Sequence, residues 1–306
     1  MKKYIGIEIG GTKLQVLLAN EKMEIIKRSL INVGEKKYAK NIQKKIEDVI
    51  HKFLAFKNVC GIGVGFGGPL DYKTGTIVTS HQVKGWNGFN LRKWLEDISG
   101  LKVQVENDAN TAALSEACYG SGKTYDKVFY VTLGSGVGGG YIINKEIYHG
   151  LIPGESEIGQ MLYDKAGTTF ESLCSGWAVD KKVRKYIISN PESKLAELVG
   201  ENVNSESKFL VRAINAGDQY AYAILNETAE DLAFGLSHVI HLLHPGVIIL
   251  GGGLSLMGEM LRKTVASYIP KFVMKAFHPG PDLFLAELGE NTVAFGALIL
   301  AQNISN

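Results

Sequence analysis

Val103-Gln104-Val105-Glu106-Asn107-Asp108-Ala109-Asn110 reads as a short strand that runs directly into a helix. Leu101, Val103 and Val105 have the two-residue period of a half-buried strand, and Ala109, Ala112, Ala113 and Leu114 fall at helical spacing. Asn107 or Asp108 therefore stands near a helix N-terminus. A carboxylate there can accept bonds from the free N–H groups of the first turn, or it can face a cleft and take a proton from a substrate hydroxyl. Taken alone, capping is the stronger reading. Two glycine-rich turns elsewhere in the chain reverse that balance.

Upstream, residues 4–9 read as a buried strand, Gly10-Gly11-Thr12-Lys13 as a tight turn, and residues 14–18 as the returning strand of a hairpin. A tip without side chains lets backbone N–H groups approach an anion, with the Thr12 hydroxyl and the Lys13 cation beside it. Gly-Gly serves equally well as a plain hairpin turn. A strand over 24–33 follows, then a helix with Ile42, Ile46, Val49, Ile50, Phe53 and Leu54 on one stripe, then a strand over 59–65. Three strands, a helix and a strand imply a mixed sheet with a helix packed on it. Gly65-Phe66-Gly67-Gly68-Pro69 leaves that last strand as a turn where backbone can approach a ligand. A loop holding His81, Gln82 and Trp86 leads to a helix over 91–98 with Gly100 near its C-cap.

Downstream, a strand over 127–133 enters Gly134-Ser135-Gly136-Val137-Gly138-Gly139-Gly140, expected to turn it into a strand over 141–144. Two hairpins with glycine and hydroxyl tips, one domain apart, can clamp opposite sides of a polyphosphate. Gly154-Glu155-Ser156-Glu157-Ile158-Gly159-Gln160 is an acidic loop, and a helix begins near Thr169 with Glu171 in its first turn. Glu157 also reads as surface charge and Glu171 as a complement to the helix dipole; sugars, however, are bound by such acceptors. Residues 178–216 look helical with a break near Asn190-Pro191, and 218–243 form one long helix. The buried strand from Val247 to Leu250 ends in a third glycine turn, Gly251-Gly252-Gly253, where ligands bind in α/β sheets. Helices over 258–275 and 292–301, with a strand over 282–286 between them, complete the chain.

Composition narrows the classes. The 306 residues allow two domains with separate cores. With 21% charged residues and a net charge of +2, and with Lys36, Lys37, Lys40, Lys44 and Lys45 on the polar side of one helix, nucleic acid is not an expected partner. Cys60, Cys118 and Cys174 form no Cys-x-x-Cys pair, so neither disulfides nor a thiolate metal site is expected. The apolar start is broken by Glu8, Gly10 and Gly11, unlike a signal peptide, and no apolar run reaches membrane-spanning length. A reducing cytoplasm is the expected location.

With these pieces placed, nearly the whole chain resembles the ROK family of sugar kinases, within the actin-like ATPase superfamily. The motifs that carry the resemblance are Ile9-Gly10-Gly11-Thr12-Lys13, Gly68-Pro69, Glu106 to Asn110, Leu133 to Gly140, Gly154 to Gly159, and Leu250-Gly251-Gly252-Gly253. The resemblance implies a two-domain α/β fold of ribonuclease H-like type, with mixed sheets flanked by helices and an interdomain cleft. The expected domains are 1–117 plus 290–306, the smaller, and 118–289, the larger. By resemblance Asp108 is the catalytic base, and Gly68, Asn107, Glu157, Gln160 and Glu171 hold sugar. Gly10, Gly11, Thr12 and Lys13, with Gly134, Ser135 and Gly136, hold the phosphates of ATP; Gly252 and Gly253 lie near the adenosine.

Three departures from the family pattern stand out. Glu8 occupies the place of the usual Asp that organises Mg²⁺. Gln160 stands for a zinc-binding His, and no Cys or His lies between Glu157 and Glu171, so the zinc loop is missing and no zinc is expected. Gln82 takes the place of a loop Asn that often contacts sugar. The expected activity is ATP- and Mg²⁺-dependent phosphorylation of a hexose, glucose first, with mannose, fructose, an N-acetylated hexosamine or a glucoside as alternatives, and the expected assembly is a homodimer. A repressor would need a DNA-binding segment, for which the early start of the first strand leaves no room. A silent sugar sensor is opposed by Asn107-Asp108 and both phosphate turns, and an actin-like assembly protein leaves Glu157 and Glu171 unexplained.

Overall fold

The N-terminal hairpin consists of β1 (Lys3–Ile9) and β2 (Lys13–Asn20), antiparallel and registered from Lys3 with Asn20 to Ile9 with Leu14. Its tip is closed by the Gly10 N–H, which donates to the Lys13 carbonyl at 2.8 Å. Lys13 thus begins the returning strand. The structure, a computed structural model, describes residues 1–11, 13–32, 38–80, 83–154, 156–202 and 204–305. Thr12, His81, Gln82, Lys36 and Lys37 lie outside the described residues.

Strand β3 (Ile25–Asn32) pairs antiparallel with β2, while β4 (Val59–Phe66) and then β7 (Lys102–Asn107) add in parallel, giving the order β3-β2-β1-β4-β7. A small hairpin, β5 (Leu70–Asp71) with β6 (Thr76–Ile77), has no counterpart in the sequence reading. On one face of the sheet, α1 (Ala39–Leu54) and α2 (Leu91–Ser99) cover Ile5, Ile7, Leu14, Val16, Ile62, Val64 and Val103. The expected stripe of α1 is the buried one, and α2 ends at Gly100 in the left-handed conformation. The opposite face is glycine-rich because α10 (Thr292–Asn303) lies there, packed on β1, β4 and α3 (Asp108–Tyr119). A helix covered by both a sheet and another helix can be apolar almost all round.

The second sheet runs β10 (Glu146–Ile147), β9 (Val137–Ile143), β8 (Lys127–Leu133), β11 (Val247–Gly251) and β12 (Asp282–Leu285), the last three parallel. Gly138, Gly139 and Gly140 therefore belong to a strand and not to the expected turn, which shrinks to residues 134–136. A Cβ at Gly140 would lie 2.7 Å from Cβ of Ala113 and 2.8 Å from the Ala109 carbonyl, so glycine is required in the strand by close approach of α3. The expected helical span 178–216 resolves into α5 (Gly176–Ser189), α6 (Lys194–Val199) and α7 (Leu210–Asn215). The long helix is α8 (Gln219–Leu243), with Asp218 as its cap, and α9 (Glu259–Phe272) packs on it.

One compact unit comprises Met1–Lys123, Gly140–Glu155 and Glu290–Asn306, and the other comprises Thr124–Gly139 and Ser156–Gly289. Residues 118–123 and 140–155 lie with the first. Among the described residues no helix is long and apolar enough to cross a membrane.

Candidate active site

In the first unit the carboxyl ends of β1, β4 and β7 lie side by side, with Ile9 registered to Phe66 and Phe66 to Asn107. Asn107 is the cap of α3: its Oδ1 accepts from the N–H groups of Ala109 at 2.8 Å and Asn110 at 3.2 Å. Its Nδ2 donates to the Gly68 carbonyl at 3.4 Å. Asp108 is the first residue of the helix, and its Oδ1 shares the Ala109 N–H at 2.9 Å. The other carboxylate oxygen is turned toward Gly67, where an added Cβ would sit 3.2 Å from Oδ2, 3.5 Å from the Ile9 carbonyl and 3.6 Å from Gly10 Cα. Asp108, Gly67 and Gly10 thus converge on one spot, and the first glycine turn is placed beside the candidate base.

Glu106, which the sequence reading left without a role, underlies this turn. It is 2% exposed. Its Oε1 accepts from the Asn107 N–H at 2.8 Å and from Asn110 Nδ2 at 3.2 Å, while Oε2 lies 3.4 Å from Nε2 of His149. The His149 ring stacks on Tyr72 at 3.7 Å. A carboxylate this deep is costly unless bonded, and here the bonds stiffen the backbone that presents Asp108. Its signal in the sequence was an acidic residue next to Val105 at the inner end of a buried strand.

Glu8 faces Gln15 across the hairpin, and its Oε2 accepts from Gln15 Nε2 at 2.6 Å and pairs with Lys13 Nζ at 3.4 Å. Lys13 Nζ also donates to the Glu290 carbonyl, as does Gln15 Nε2 at 3.1 Å. Among the described residues Oε1 of Glu8 has no partner. Burial raises the Glu8 carboxyl above its ordinary value, with Lys13 and Gln15 offsetting part of the shift. A carboxyl raised in the folded state costs stability when ionised; the cost is absent below the unfolded pKa, near 4.3, and grows as pH rises through the folded value. Glu8→Gln is therefore expected to raise Tm at pH 7.5, by roughly 2–4 °C per kcal/mol relieved. That gain should vanish near pH 4. Thermal unfolding at both pH values checks it; a lower Tm at pH 7.5 would mean that the bonds to Lys13 and Gln15 outweigh desolvation.

In the second unit the Gly134 N–H donates to the Gly136 carbonyl at 2.9 Å and closes the second glycine turn, which carries Ser135. Gly251 is registered with Thr132, and Gly252, at φ 80°, lies against the Leu133 backbone, where a Cβ would be 2.6 Å from its N and C atoms. The second and third glycine turns therefore adjoin at the carboxyl ends of β8 and β11. Around Gly253 there is open space, with nothing within 4 Å of an added Cβ.

Glu157 and Gln160 are exposed at the ends of a short helical turn, Ile158–Gln160, anchored by buried Ile158. Glu171 lies on α4 (Phe170–Cys174), whose start is held by reciprocal bonds between Thr169 and Ser172. Its Oε2 accepts the Val137 N–H at 2.8 Å, so it does more than complement the helix dipole. On the segment joining Glu157 to Glu171, the Tyr163 hydroxyl donates to Asp231 at 3.0 Å, and Asp231 in turn pairs with Lys182 at 3.1 Å, which also pairs with Glu227 at 2.9 Å. Burial and the Asp231 charge push the Tyr163 hydroxyl up to about 12. Among the described residues no group of three or more His, Cys, Asp or Glu could hold a metal ion.

The chain is 27% identical to a glucokinase of Halalkalibacterium halodurans over 317 residues, covering 99% of this chain and 96% of that protein. It is 26% identical to a glucokinase of Thermotoga maritima, covering 96% of each. Among solved structures it is similar to a ROK family glucokinase from Streptomyces griseus in complex with glucose and AMPPNP, at 28% identity and a TM-score of 0.85, covering 98% of this chain and 99% of that one. Two mixed sheets flanked by helices and this likeness give the chain the actin-like ATPase fold. The ROK family profile matches residues 4–304, and the chain belongs to the ROK family.

Proposed function

We propose that this protein is an ATP-dependent sugar kinase that transfers the γ-phosphoryl group to a hexose hydroxyl, O6 of glucose first, with Asp108 as the general base. The observation that carries the reading is the division of labour at the start of α3. Asn107 takes the capping role, and the Asp108 carboxylate stands beside the glycine turn at Gly10. The similarity to glucokinases supports the same reading.

In this mechanism the turns Gly10-Gly11-Thr12-Lys13 and Gly134-Ser135-Gly136, each closed by its own backbone bond, hold the phosphates, and Gly252 and Gly253 lie at the adenosine. Gly68, Asn107, Glu157, Gln160 and Glu171 orient the sugar. Asp108 takes the hydroxyl proton as the new O–P bond forms and the bond from Pγ to the β–γ bridging oxygen breaks, leaving ADP. Base catalysis contributes about 10²–10⁴-fold, and positioning with charge neutralisation supplies the rest. Glu8, whose Oε1 has no partner among the described residues, would help to hold Mg²⁺, and the ion would neutralise phosphate charge.

Purified protein incubated with ATP, Mg²⁺ and a panel of hexoses tests the reading, with the product located by NMR. A 6-phosphate of glucose is the expected result. Sugar binding without turnover would make the protein a sensor instead. The reading requires no zinc, since the segment between Glu157 and Glu171 offers no Cys or His and a structural site needs about four ligands. Exhaustive dialysis against a chelator should leave Tm unchanged, and activity unchanged once Mg²⁺ is restored; stoichiometric zinc together with unfolding on its removal would contradict this.

A further inference from the structure

The second glycine turn and the segments that bear Glu157, Gln160 and Glu171 share one wall. Val137, the residue after Gly136, donates its N–H to Oε2 of Glu171 at 2.8 Å. Gly136 lies against the same carboxylate, so that a Cβ there would overlap Oε2 and come within 3.2 Å of Cδ. From the other side Gly159 lies against Val137, where a Cβ would overlap the Val137 carbonyl oxygen. Gly139 lies against the Ser156 carbonyl, 2.5 Å from an added Cβ. A further clasp is the Gly176 N–H, which donates to the Gly134 carbonyl at 2.7 Å. The exit of the turn at 134–136 is thus joined through Gly136 and Val137 to Glu171, and through Val137 and Gly139 to the 156–160 segment.

We propose that Glu171 is a positioning residue that couples sugar binding to nucleotide binding, an inference that rests on the sugar kinase reading above. One carboxylate oxygen fixes the exit of the phosphate turn through Val137, and the other, with no hydrogen bond among the described residues, is placed to take a sugar hydroxyl. With no sugar bound, a negative charge stands beside the backbone that receives phosphates and opposes them. A hydroxyl donating to that carboxylate disperses the charge and immobilises the turn. Both effects favour the nucleotide, the second because part of the ordering has already been done.

Calorimetric titration of the whole protein with Mg²⁺ and AMPPNP, with and without saturating glucose or the sugar chosen by the hexose panel, tests the coupling. For the wild type, sugar is expected to tighten nucleotide binding about fivefold or more, within the usual range of coupling between sites. Glu171→Gln should bind nucleotide without sugar about two- to fivefold more tightly, as removal of about 1 kcal/mol of repulsion across water implies, while its response to sugar falls to within about twofold. Glu171→Asp keeps the charge but loses reach to Val137, so coupling should disappear without the tighter basal binding. It also serves as the second variant if the amide does not fold. Gln160→Ala should weaken sugar about tenfold, roughly 1.4 kcal/mol, and keep the coupling factor. A merely structural Glu171 would weaken both ligands alike. Independent binding of sugar and nucleotide by the wild type, or full coupling in Glu171→Gln, overturns the proposal while leaving the kinase reading intact; a wild type that binds no sugar overturns both.

Discussion

Asp108→Asn is expected to lower kcat by at least about 10²-fold, with sugar binding retained. The amide has the shape of the carboxylate and keeps an oxygen for the Ala109 N–H, which Oδ1 accepts at 2.9 Å. It also preserves the contact with Gly67, so the turn should be unchanged. What it cannot do is accept a proton. Folding is not at risk, because the cap of α3 is Asn107, whose Oδ1 holds two backbone N–H groups. Steady-state kinetics and sugar titration of the variant separate the two effects. Turnover within a few-fold of the wild type would remove Asp108 from the base role, and equal loss of binding and turnover would recast it as a sugar ligand.

Gly63→Ala should destabilise the first unit by roughly 3 kcal/mol, the upper part of the range for overpacking. Gly63 in β4 lies directly under α10, where a Cβ would overlap the Ala297 carbonyl oxygen and come 2.8 Å from its carbon and 2.9 Å from the Ala301 nitrogen. These are backbone atoms of a hydrogen-bonded helix, so no rotamer change can relieve the clash; α10 has to lift from the sheet. At about 2–4 °C per kcal/mol for a domain of this size, Tm should fall by roughly 6–12 °C. Gly253→Ala, with nothing within 4 Å of the new methyl group, is the control and should change stability by no more than about 0.5 kcal/mol. A Tm for Gly63→Ala within about 2 °C of the wild type would show that α10 is not seated so closely. Turnover should fall as well, because Gly296 of α10 lies against Thr111 and the Thr111 hydroxyl donates to the Asn107 carbonyl at 2.6 Å.

Much of the architecture was written in short windows of the chain. The alternation of Val103 and Val105, the hairpin at Gly10 and Gly11, the apolar stripe from Ile42 to Phe53 and the strand at Val247 each depend on residues within one element. Such patterns survive without tertiary context, because a strand or helix with one buried face repeats its own period. The motif at Asn107-Asp108 and the three glycine turns are likewise confined to short windows, and they carry the resemblance to the ROK family.

Tertiary structure decided what depends on residues distant in sequence. Whether Asn107 or Asp108 caps α3 turned on which carbonyls and N–H groups lay nearby, and Gly68 helped to settle it by accepting from Asn107. Gly138, Gly139 and Gly140 looked like a turn because glycine's local preference is for turns, yet all three are strand residues, with Ser156 close against Gly139 and α3 close against Gly140. The second oxygen of Glu106 found its neighbour only when His149 was brought beside it. The bond from Val137 to Glu171 likewise joins a glycine turn to a helix that lies well beyond it in the chain. Contacts of this kind leave no periodic trace in the sequence, since a hydrogen bond between distant residues constrains each of them singly and neither neighbourhood repeats.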